Sequence, residues 1–482
     1  MVRQKVFGGL LAVFFVASSA SATVLDVPDG FATIQSAIDA ASNGDTVLVS
    51  DGNYLENITF LDKDIVVGSL FLVDGNRSHV SATVIDGSSP ADIDTASCVR
   101  ITGGQTRAAE LVGFTLTGGT GTLWFDPPTN LWYREGGGIL INQSSPRIDY
   151  NLILNNLATG VNSGATSAGG GGIRTGFGSP LIQHNTIQGN EGNYGAGIVV
   201  NFDDAEIRNN LILQNSGGKD FGGGGIWVYG VGHSATIENN TVYGNTVTGR
   251  PSIGQAKGTG GGILIWSTAA ILRNNILWGN TAREASQINV ISASVDYASN
   301  DIDGVPSDNG GITLNPQFDS STHYLLMSGS PCIDGGYDDI AYQDPEDPQN
   351  PGSALYPAMG GLRGDIGAYG GPGAAELPQL VVSPVPETGA GSALPQHSSI
   401  ERIYPNPFNP STTIRWYLAK SEQVQLSVYD VLGREVAVLL SGAQAHGEGQ
   451  TQFDASGLAS GVYTVRLKTP SSSDTHRMML VR

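Results

Sequence analysis

The sequence is poor in cysteine and in positive charge. Two cysteines among 482 residues provide no disulfide framework, and we expect Cys98 and Cys332 to be buried, unpaired thiols. Lysine and arginine number 24 against 44 aspartates and glutamates, which gives a net charge of −20 without a basic patch. This balance argues against nucleic acid and anionic membranes as partners.

Long apolar runs are also scarce, and the longest one lies near the N-terminus. Two basic residues precede the apolar stretch 6–16, and small residues at positions 20–22 come before Thr23. This order is typical of a secretory signal peptide and predicts removal of residues 1–22 by cleavage between Ala22 and Thr23. The run is too short to span a bilayer and no other segment is long enough, so we expect export and no transmembrane segment.

Glycine, in contrast, is abundant, with 67 residues that show no triplet period and so exclude a collagen helix. Between residues 136 and 280 the glycines mark five repeats. Each repeat begins with glycines and a short apolar strand and closes on the pattern apolar-x-x-Asn-x-apolar. The first asparagines of the five closing patterns are Asn151, Asn185, Asn210, Asn240 and Asn275.

Each repeat has a constant half and a variable half. From the isoleucine after the glycines to the first asparagine the step is 12 residues in four repeats, as from Ile139 to Asn151, and 14 in the fourth. The return to the next isoleucine varies from 13 to 23 residues. Stacked strands cannot shift register, whereas loops tolerate insertion. Apolar residues alternate with period two, so the sequence predicts an all-β fold, a right-handed parallel β-helix.

In such a solenoid, equivalent residues of successive coils stack into columns. We interpret the five asparagines as a structural ladder of buried amides. If the isoleucines and valines of two neighbouring strands point inward, four residues between them point outward, namely Trp227, Tyr229, Leu264 and Trp266. Such a group would form a platform for stacking on sugar rings, or a contact surface. In the alternative, the long returns fold over these side chains and bury them.

The flanking segments predict a capped solenoid and a second domain. Apolar residues at helical spacing from Ile34 to Ala41 predict a short helix that covers the open end of the solenoid. Residues 372–399 are rich in Pro, Gly, Ala and Ser and predict a linker. Residues 400–482 show strands of period two and predict a small antiparallel β-sandwich. The β-helix itself is expected over residues 23–371.

Several stretches resemble known families. TIQSAIDAASNGDTVLVSDGNYLENI, VGFTLTGG, the five repeats, GSPCIDGG and DIGAYG resemble secreted right-handed β-helix proteins of the pectin lyase-like superfamily. YPNPFNPSTTIRWYL, VYDVLGREVAVLL and LASGVYTVRL resemble the C-terminal sorting domain of type IX secretion cargo, which overlaps the Ig-like domain of flagellar hook-capping proteins. The second resemblance implies passage through the outer membrane by the secretion machinery. Release or surface attachment would follow, usually with removal of this domain.

The sequence lacks the standard catalytic motifs of the superfamily's enzymes. Its glycosidases carry paired catalytic aspartates in the column where this chain has glycines. A lyase needs a base and a cation, and the sequence offers His184, Arg208 and Arg273 without singling out any of them. Asp203 and Asp204 are typical of a turn. Asp301-x-Asp303-Gly304 has only part of the spacing of a calcium-binding loop, so we assign no metal site. We also assign no catalytic residue. Ca²⁺ is the only cofactor that we consider.

The sequence therefore favours a secreted or cell-surface protein that binds polysaccharide or mediates surface contact. The expected partners are a polysaccharide or cell-surface glycan and the outer-membrane secretion machinery. Two alternatives stay open. One is a polysaccharide lyase or glycoside hydrolase with a non-standard site, and the other is a purely structural or adhesive surface protein.

Overall fold

The computed structural model describes residues 22–126, 130–159, 165, 167–248, 258–305, 309–319, 324–378, 398–404, 408–418, 420–430, 434–444, 447–470 and 473–480. Most of the predicted signal peptide, and residues 379–397 of the predicted linker, lie outside the described residues. The chain divides into two compact units, residues 1–384 and 385–482. Ala22 and Thr23 are exposed at the start of the described part, and cleavage between them stays a prediction.

The first unit is a right-handed parallel β-helix, in which each regular coil gives one strand to each of three sheets. Sheet A contains Val24–Val27, Thr46–Val49, Val66–Ser69, Glu110–Val112, Arg147–Asp149, Leu181–Gln183, Glu206–Arg208, Ser234–Glu238, Ala269–Arg273 and Ser294–Ala298. Sheet B contains Gly52–Tyr54, Thr83–Asp86, Thr115–Thr117, Leu152–Leu154, Thr186–Gln188, Leu211–Leu213, Thr241–Tyr243, Ile276–Trp278 and Asp301–Ile302. Sheet C contains Ile58–Thr59, Val99–Ile101, Ile139–Ile141, Ile173–Gly176, Ile198–Asn201, Ile226–Tyr229, Ile263–Trp266 and Ile288–Ile291.

Strict register explains the constant half of the repeat. In sheet C, Ile139 pairs with Ile173, which pairs with Ile198, and the same position continues through Ile226 and Ile263. These side chains point inward and belong to one core that runs from Val27 to Ile302. The 12-residue step covers the sheet C strand, the sheet A strand and the bend into sheet B, where each strand residue needs a partner in the next coil. The variable returns lie between sheets B and C.

The returns carry two small sheets. Sheet D contains Thr95–Ala96, Gly121–Asp126, Leu131–Glu135 and Ser167–Gly169, and sheet E contains Leu157–Ala158, Glu191–Tyr194, Ser216–Gly222 and Thr246–Val247. Gly121–Asp126 and Leu131–Glu135 pair antiparallel, and we call them the hairpin. The hairpin lies between the third strands of sheets B and C along the chain.

The N-terminal end is covered by the predicted helix, Ile34–Ala40. Thr33 caps it, because its side chain accepts a hydrogen bond from the backbone N–H of Ser36, and Ile34, Ala37 and Ile38 are buried. Two further short helices, Phe71–Asp74 and Ser78–Ala82, lie in an early return. None of the helices among the described residues is long and apolar enough to cross a membrane.

The chain returns along the solenoid after its last coil. A short strand pair, Phe318–Asp319 with Leu325–Leu326, and the 3-10 helix Ile340–Tyr342 precede this return. Residues 365–378, which we call the closing segment, then run back along the bend between sheets A and B. Asn209 Nδ2 donates to the carbonyls of Ala368 and Gly370 at 3.1 and 2.8 Å, and Thr186 Oγ1 donates to Pro378 O at 2.6 Å. The DIGAYG stretch therefore binds earlier coils side-on.

The second unit is a β-sandwich of two antiparallel sheets. One contains Ser399–Tyr404, Ser411–Leu418 and Gly447–Asp454, and the other contains Glu422–Tyr429, Glu435–Gln444, Gly461–Lys468 and Ser473–Leu480. Buried residues of both sheets, such as Trp416, Phe453 and Leu467, share one core. The alternation seen in the sequence places these side chains between the sheets.

Candidate functional site

The outer surface of sheet C is the candidate site, and we call it the sheet C face. Residues that alternate with the core isoleucines form two columns there, because paired strands keep their register. The first column is Arg100, Leu140, Arg174, Val199, Trp227 and Leu264. The second column is Gly176, Asn201, Tyr229, Trp266 and Ile291.

Aromatic side chains gather at one end of this face. We call the group the aromatic cluster, and it consists of Tyr133, Tyr194, Phe221, Trp227, Tyr229 and Trp266. The ring centroids of Tyr229 and Trp266 are 5.4 Å apart, and those of Trp227 and Tyr229 are 5.7 Å apart. These tilted pairs lie within the range in which aromatic rings attract one another. The cluster is therefore packed rather than a row of independent side chains.

The structure corrects the expectation that all four predicted residues lie open to solvent. Trp227 is only 6% exposed and Leu264 is fully buried, whereas Tyr229 and Trp266 are half-buried. The reason is that sheet E carries Phe221 over the face, with its ring 6.3 Å from that of Trp266. The long return thus covers part of the aromatic surface, as the alternative reading of the sequence allowed.

An exposed aromatic pair lies instead on the hairpin, and the sequence analysis missed it. Phe125 and Trp132 are opposite one another on the two strands, with ring centroids 5.5 Å apart and exposures of 39% and 48%. Tyr133, the neighbour of Trp132, packs against the aromatic cluster from the other side of the hairpin. The sequence TLWFDPPTNLWYRE carried the signal, since aromatic residues flank both sides of a Pro-rich turn.

A buried ion pair fastens the hairpin to sheet C. Arg174 Nε lies 2.9 Å from Glu135 Oε2, and both side chains are at most 1% exposed. Glu135 also accepts hydrogen bonds from Tyr194 and from Trp124 Nε1, and the guanidinium of Arg174 lies 3.9 Å above the Trp124 ring. Burial raises the pKa of Glu135, while the charge of Arg174 acts against that rise. A buried pair of this kind is stable only when most of its other polar atoms are bonded. Arg174 Nη1 donates to Ile141 O and Asn142 Oδ1, whereas Nη2 has no partner within the described protein.

Besides the Nε atoms of Arg100 and Arg174, three buried polar atoms on the sheet C face have no hydrogen-bond partner within the described protein. They are Arg174 Nη2, Asn201 Oδ1 and Trp227 Nε1. Buried polar groups are nearly always satisfied, so an orphaned group indicates an ordered water or a ligand atom. Two of these atoms are donors and one is an acceptor, which is a combination that sugar hydroxyls can satisfy.

Asp203 follows the face, in the bend between sheets C and A. It is buried, and its Oδ2 accepts a hydrogen bond of 2.5 Å from Thr175 Oγ1. Burial raises the pKa of Asp203 to about 6, although the Thr175 hydroxyl and the charge of Arg174 act in the opposite direction. Its neighbour Asp204 instead accepts a hydrogen bond from the Ser234 backbone N–H at 2.8 Å.

The other polar candidates do not converge on this site. His184 lies at the bend between sheets A and B, with Nδ1 2.9 Å from Asp149 Oδ1 and Nε2 donating to Gly373 O of the closing segment. Arg208 is on sheet A and pairs with Glu206 at 2.9 Å. Arg273, also on sheet A, pairs with Asp296 at 2.5 Å. A lyase base and its cation are thus not brought together by these three residues.

The asparagine column forms a continuous buried ladder. The Nδ2 of each residue donates to Oδ1 of its equivalent in the next coil, at 3.0 or 3.1 Å, in the series Asn151, Asn185, Asn210, Asn240, Asn275 and Asn300. A second ladder runs through Asn156, Asn190, Asn215, Asn245 and Asn280. Both ladders satisfy backbone groups at bends, where the strand pairing is interrupted.

The possible calcium loop uses its first carboxylate for protein contacts. Asp301 is buried and accepts hydrogen bonds from Leu314 N at 3.1 Å and from Cys332 Sγ at 3.2 Å. Burial raises the pKa of Asp301 to about 6. Across the described ranges no group of three or more His, Cys, Asp or Glu side chains is arranged to hold a metal ion. Cys98 and Cys332 are both buried and free.

Two family models match this chain. The right-handed beta helix region matches residues 28–282, which are 255 of the 482 residues, and the secretion system C-terminal sorting domain matches residues 402–481. The protein belongs to the right-handed β-helix family. Its sorting domain directs this β-helix protein, through the type IX secretion machinery, to the cell surface or the extracellular space.

Solved structures resemble the chain only remotely. PorZ, a surface component of the type IX secretion system of Porphyromonas gingivalis, is 27% identical over 17% of this chain and 11% of PorZ, with a TM-score of 0.13. Pectin methylesterase PemA from Erwinia chrysanthemi is 13% identical over 62% of this chain and 94% of PemA, with a TM-score of 0.29. These scores are too low to support an argument about function. No curated protein matches the chain significantly.

Proposed function

We propose that this exported β-helix protein binds polysaccharide outside the cell, through the sheet C face and the adjoining hairpin. The observation that carries the proposal is the meeting of aromatic rings and unpaired buried polar atoms on one face. Sugar rings offer apolar C–H faces to aromatic side chains and hydroxyl groups to donors and acceptors. This face of the protein supplies both kinds of contact.

The aromatic residues are held in place before any ligand arrives. Tyr229 and Trp266 are half-buried among neighbouring rings, and Phe125 packs against Trp132 across the hairpin. Rigid aromatic anchors lose little conformational entropy on binding. The buried pair of Glu135 and Arg174 fixes the hairpin against the same face. The exposed pair on the hairpin and the half-buried rings of the cluster then offer a long polymer two separate contacts.

The test compares single variants of the full-length protein in affinity electrophoresis against a panel of polysaccharides. We expect Trp132→Ala and Trp266→Ala to weaken retention by about tenfold each, which corresponds to the loss of one stacking contact. Ile340→Ala removes an apolar side chain that is 83% exposed elsewhere in the first unit and serves as the matched control. Unchanged retention of both tryptophan variants, with the fold intact, would contradict the proposal.

Asp203 favours one alternative function, cleavage of a polysaccharide at a non-standard site. A carboxyl group whose pKa is about 6 keeps its proton to a higher pH than an ordinary aspartate, which is a property that general acid catalysis uses. The same incubations should be assayed for new reducing or unsaturated chain ends. Ends that appear with the native protein and disappear with Asp203→Asn would establish the enzyme. If neither binding nor cleavage is detected, the remaining function is that of a purely structural or adhesive surface protein.

A further inference from the structure

We infer that the polysaccharide bound at the sheet C face is uncharged, and that chains of uronic acids are poor ligands. This inference rests on the proposed binding function and specifies the chemical class of its ligand. It follows from three features of the described protein, which are the distribution of charge, the pairing of cations near the site and the chemistry of the unpaired atoms.

The acidic excess belongs to the part of the chain that contains the site. From residue 400 onward there are 8 lysines and arginines and 7 aspartates and glutamates, so all of the net negative charge lies in the preceding residues. A polyuronate carries a carboxylate on every sugar. Its approach to this surface would be opposed by like charge, whereas a neutral chain would meet no such barrier.

Two cations beside the site already form ion pairs within the protein. Arg174 pairs with Glu135 at 2.9 Å, and its Nη1 donates to Ile141 O and to Asn142 Oδ1. On the hairpin, Arg134 Nη2 pairs with Asp94 at 2.6 Å.

Arg100 belongs to the same outward column but lies at its far end. It is separated from Trp227 by four strand spacings of about 4.8 Å, or about 19 Å in all. Burial lowers the pKa of Arg100, while the charge of Asp92 acts against that fall. Arg100 therefore cannot neutralise a carboxylate on a sugar that stacks on the aromatic cluster.

The unpaired atoms on the face also suit hydroxyl groups. A carboxylate can only accept hydrogen bonds, so a carboxylate placed at Asn201 Oδ1 could not satisfy it, and one placed at Arg174 Nη2 would add a negative charge beside Glu135, the buried partner of Arg174. A hydroxyl group both donates and accepts. It can therefore satisfy Asn201 Oδ1 as well as Arg174 Nη2 or Trp227 Nε1 without adding charge to a buried environment.

The experiment uses a pair of ligands that differ only in charge. Full-length protein is tested by affinity electrophoresis and calorimetry against polygalacturonate and against the same polymer after reduction of its carboxyl groups to alcohols. Alginate and neutral glucans, mannans and xylans extend the panel. Each ligand is measured at low and at high salt, because attraction between opposite charges weakens with salt and stacking does not.

We expect binding to neutral polymers that changes little with salt, and binding at least about tenfold weaker to any uronate chain. Stronger binding to a uronate than to its reduced form would overturn this inference but leave the proposed polysaccharide binding intact. Absence of binding to every polymer, charged or neutral, would overturn both. Trp266→Ala, on the sheet C face, should reduce retention on the neutral ligand, and an unchanged value would place the binding elsewhere and overturn the inference for this face.

Discussion

Arg174 and Glu135 form an ion pair that is almost completely removed from solvent, with 2.9 Å between Arg174 Nε and Glu135 Oε2. One residue belongs to a core coil and the other to the hairpin inserted before it. Both charges depend on each other, because an isolated charge in such a place would be strongly unfavourable. The pair therefore determines where the hairpin and its exposed aromatic residues lie relative to sheet C.

Removing one partner of this pair should destabilise the first unit. Glu135→Ala would leave the guanidinium of Arg174 buried without its carboxylate, and we expect a loss of about 3–5 kcal/mol in the free energy of unfolding. Denaturant titration measures this quantity. The control is Arg77→Ala, which removes the exposed pair with Glu376 and should cost less than about 1 kcal/mol. Equal effects of the two substitutions would contradict the structural role of the buried pair.

Interrupting the asparagine ladder should also be costly. Asn210→Ala removes the hydrogen bonds that Nδ2 donates to Asn240 Oδ1 and to the carbonyls of Ile182 and Arg208. It also removes the Oδ1 that accepts from Asn185 Nδ2, and all of these bonds lie within a buried bend. We expect a destabilisation of about 3 kcal/mol, because the partners stay buried with their bonds unmade. Asn193→Ala, in a half-buried return with one bond to Thr159 O, should cost less than about 1 kcal/mol. A ladder variant as stable as this control would show that neighbouring coils compensate.

Substitution of Trp227 should mainly affect stability, and substitution of Trp132 should mainly affect binding. Trp227 is buried in the aromatic cluster, so Trp227→Ala creates a cavity and should lower the free energy of unfolding by about 3–5 kcal/mol. Trp132 is 48% exposed, and Trp132→Ala should change stability by less than about 1 kcal/mol while it weakens polysaccharide binding. Thermal unfolding and affinity electrophoresis of the same samples decide this. The reverse assignment of effects would contradict the burial seen in the structure.

Stability should fall as the pH rises, because of two buried carboxyl groups, those of Asp344 and of Asp365 at the start of the closing segment. Burial, together with the charge of Asp365, raises the pKa of Asp344 to about 8, and burial raises that of Asp365 to about 7. Asp334 lies beside both and adds to the repulsion. In the unfolded chain each group titrates near its ordinary value of 3.8. The folded state therefore binds more protons than the unfolded chain between about pH 4 and pH 8. The two carboxyl groups contribute fully to the free energy of unfolding below about pH 4, and this contribution is lost as the pH rises to about 8.

The melting temperature should accordingly decrease between about pH 4 and pH 8, and Asp344→Asn should flatten this slope. Asp344 also accepts hydrogen bonds from the backbone N–H groups of Asp365 and Gly371, so the substitution is expected to lower stability at acidic pH. The slope, not the absolute melting temperature, is thus the informative quantity. An unchanged slope in the variant would assign the pH dependence to other groups.

The fold could be predicted because its determinants are periodic and local. The step from Ile139 to Asn151 recurs through the repeats, and a residue at a fixed place in a repeat must meet its equivalent in the next coil. The same logic identified the asparagines at the bends and the outward direction of Tyr229 and Trp266. The match of residues 28–282 and 402–481 to their families confirms the β-helix and the sorting domain.

The candidate functional site depends on contacts that cannot be predicted from the repeat pattern. The sequence places Trp227 on the outside of its strand, yet Phe221 and Tyr133 come from returns of irregular length that fold over it. Arg174 and Glu135 are separated by one whole coil, and their pairing requires the hairpin to turn back on sheet C. The sequence by itself determined which residues face inward, because strand alternation and stacking are local. Only the tertiary structure decided which outward residues stay exposed, because that depends on long-range packing of the returns.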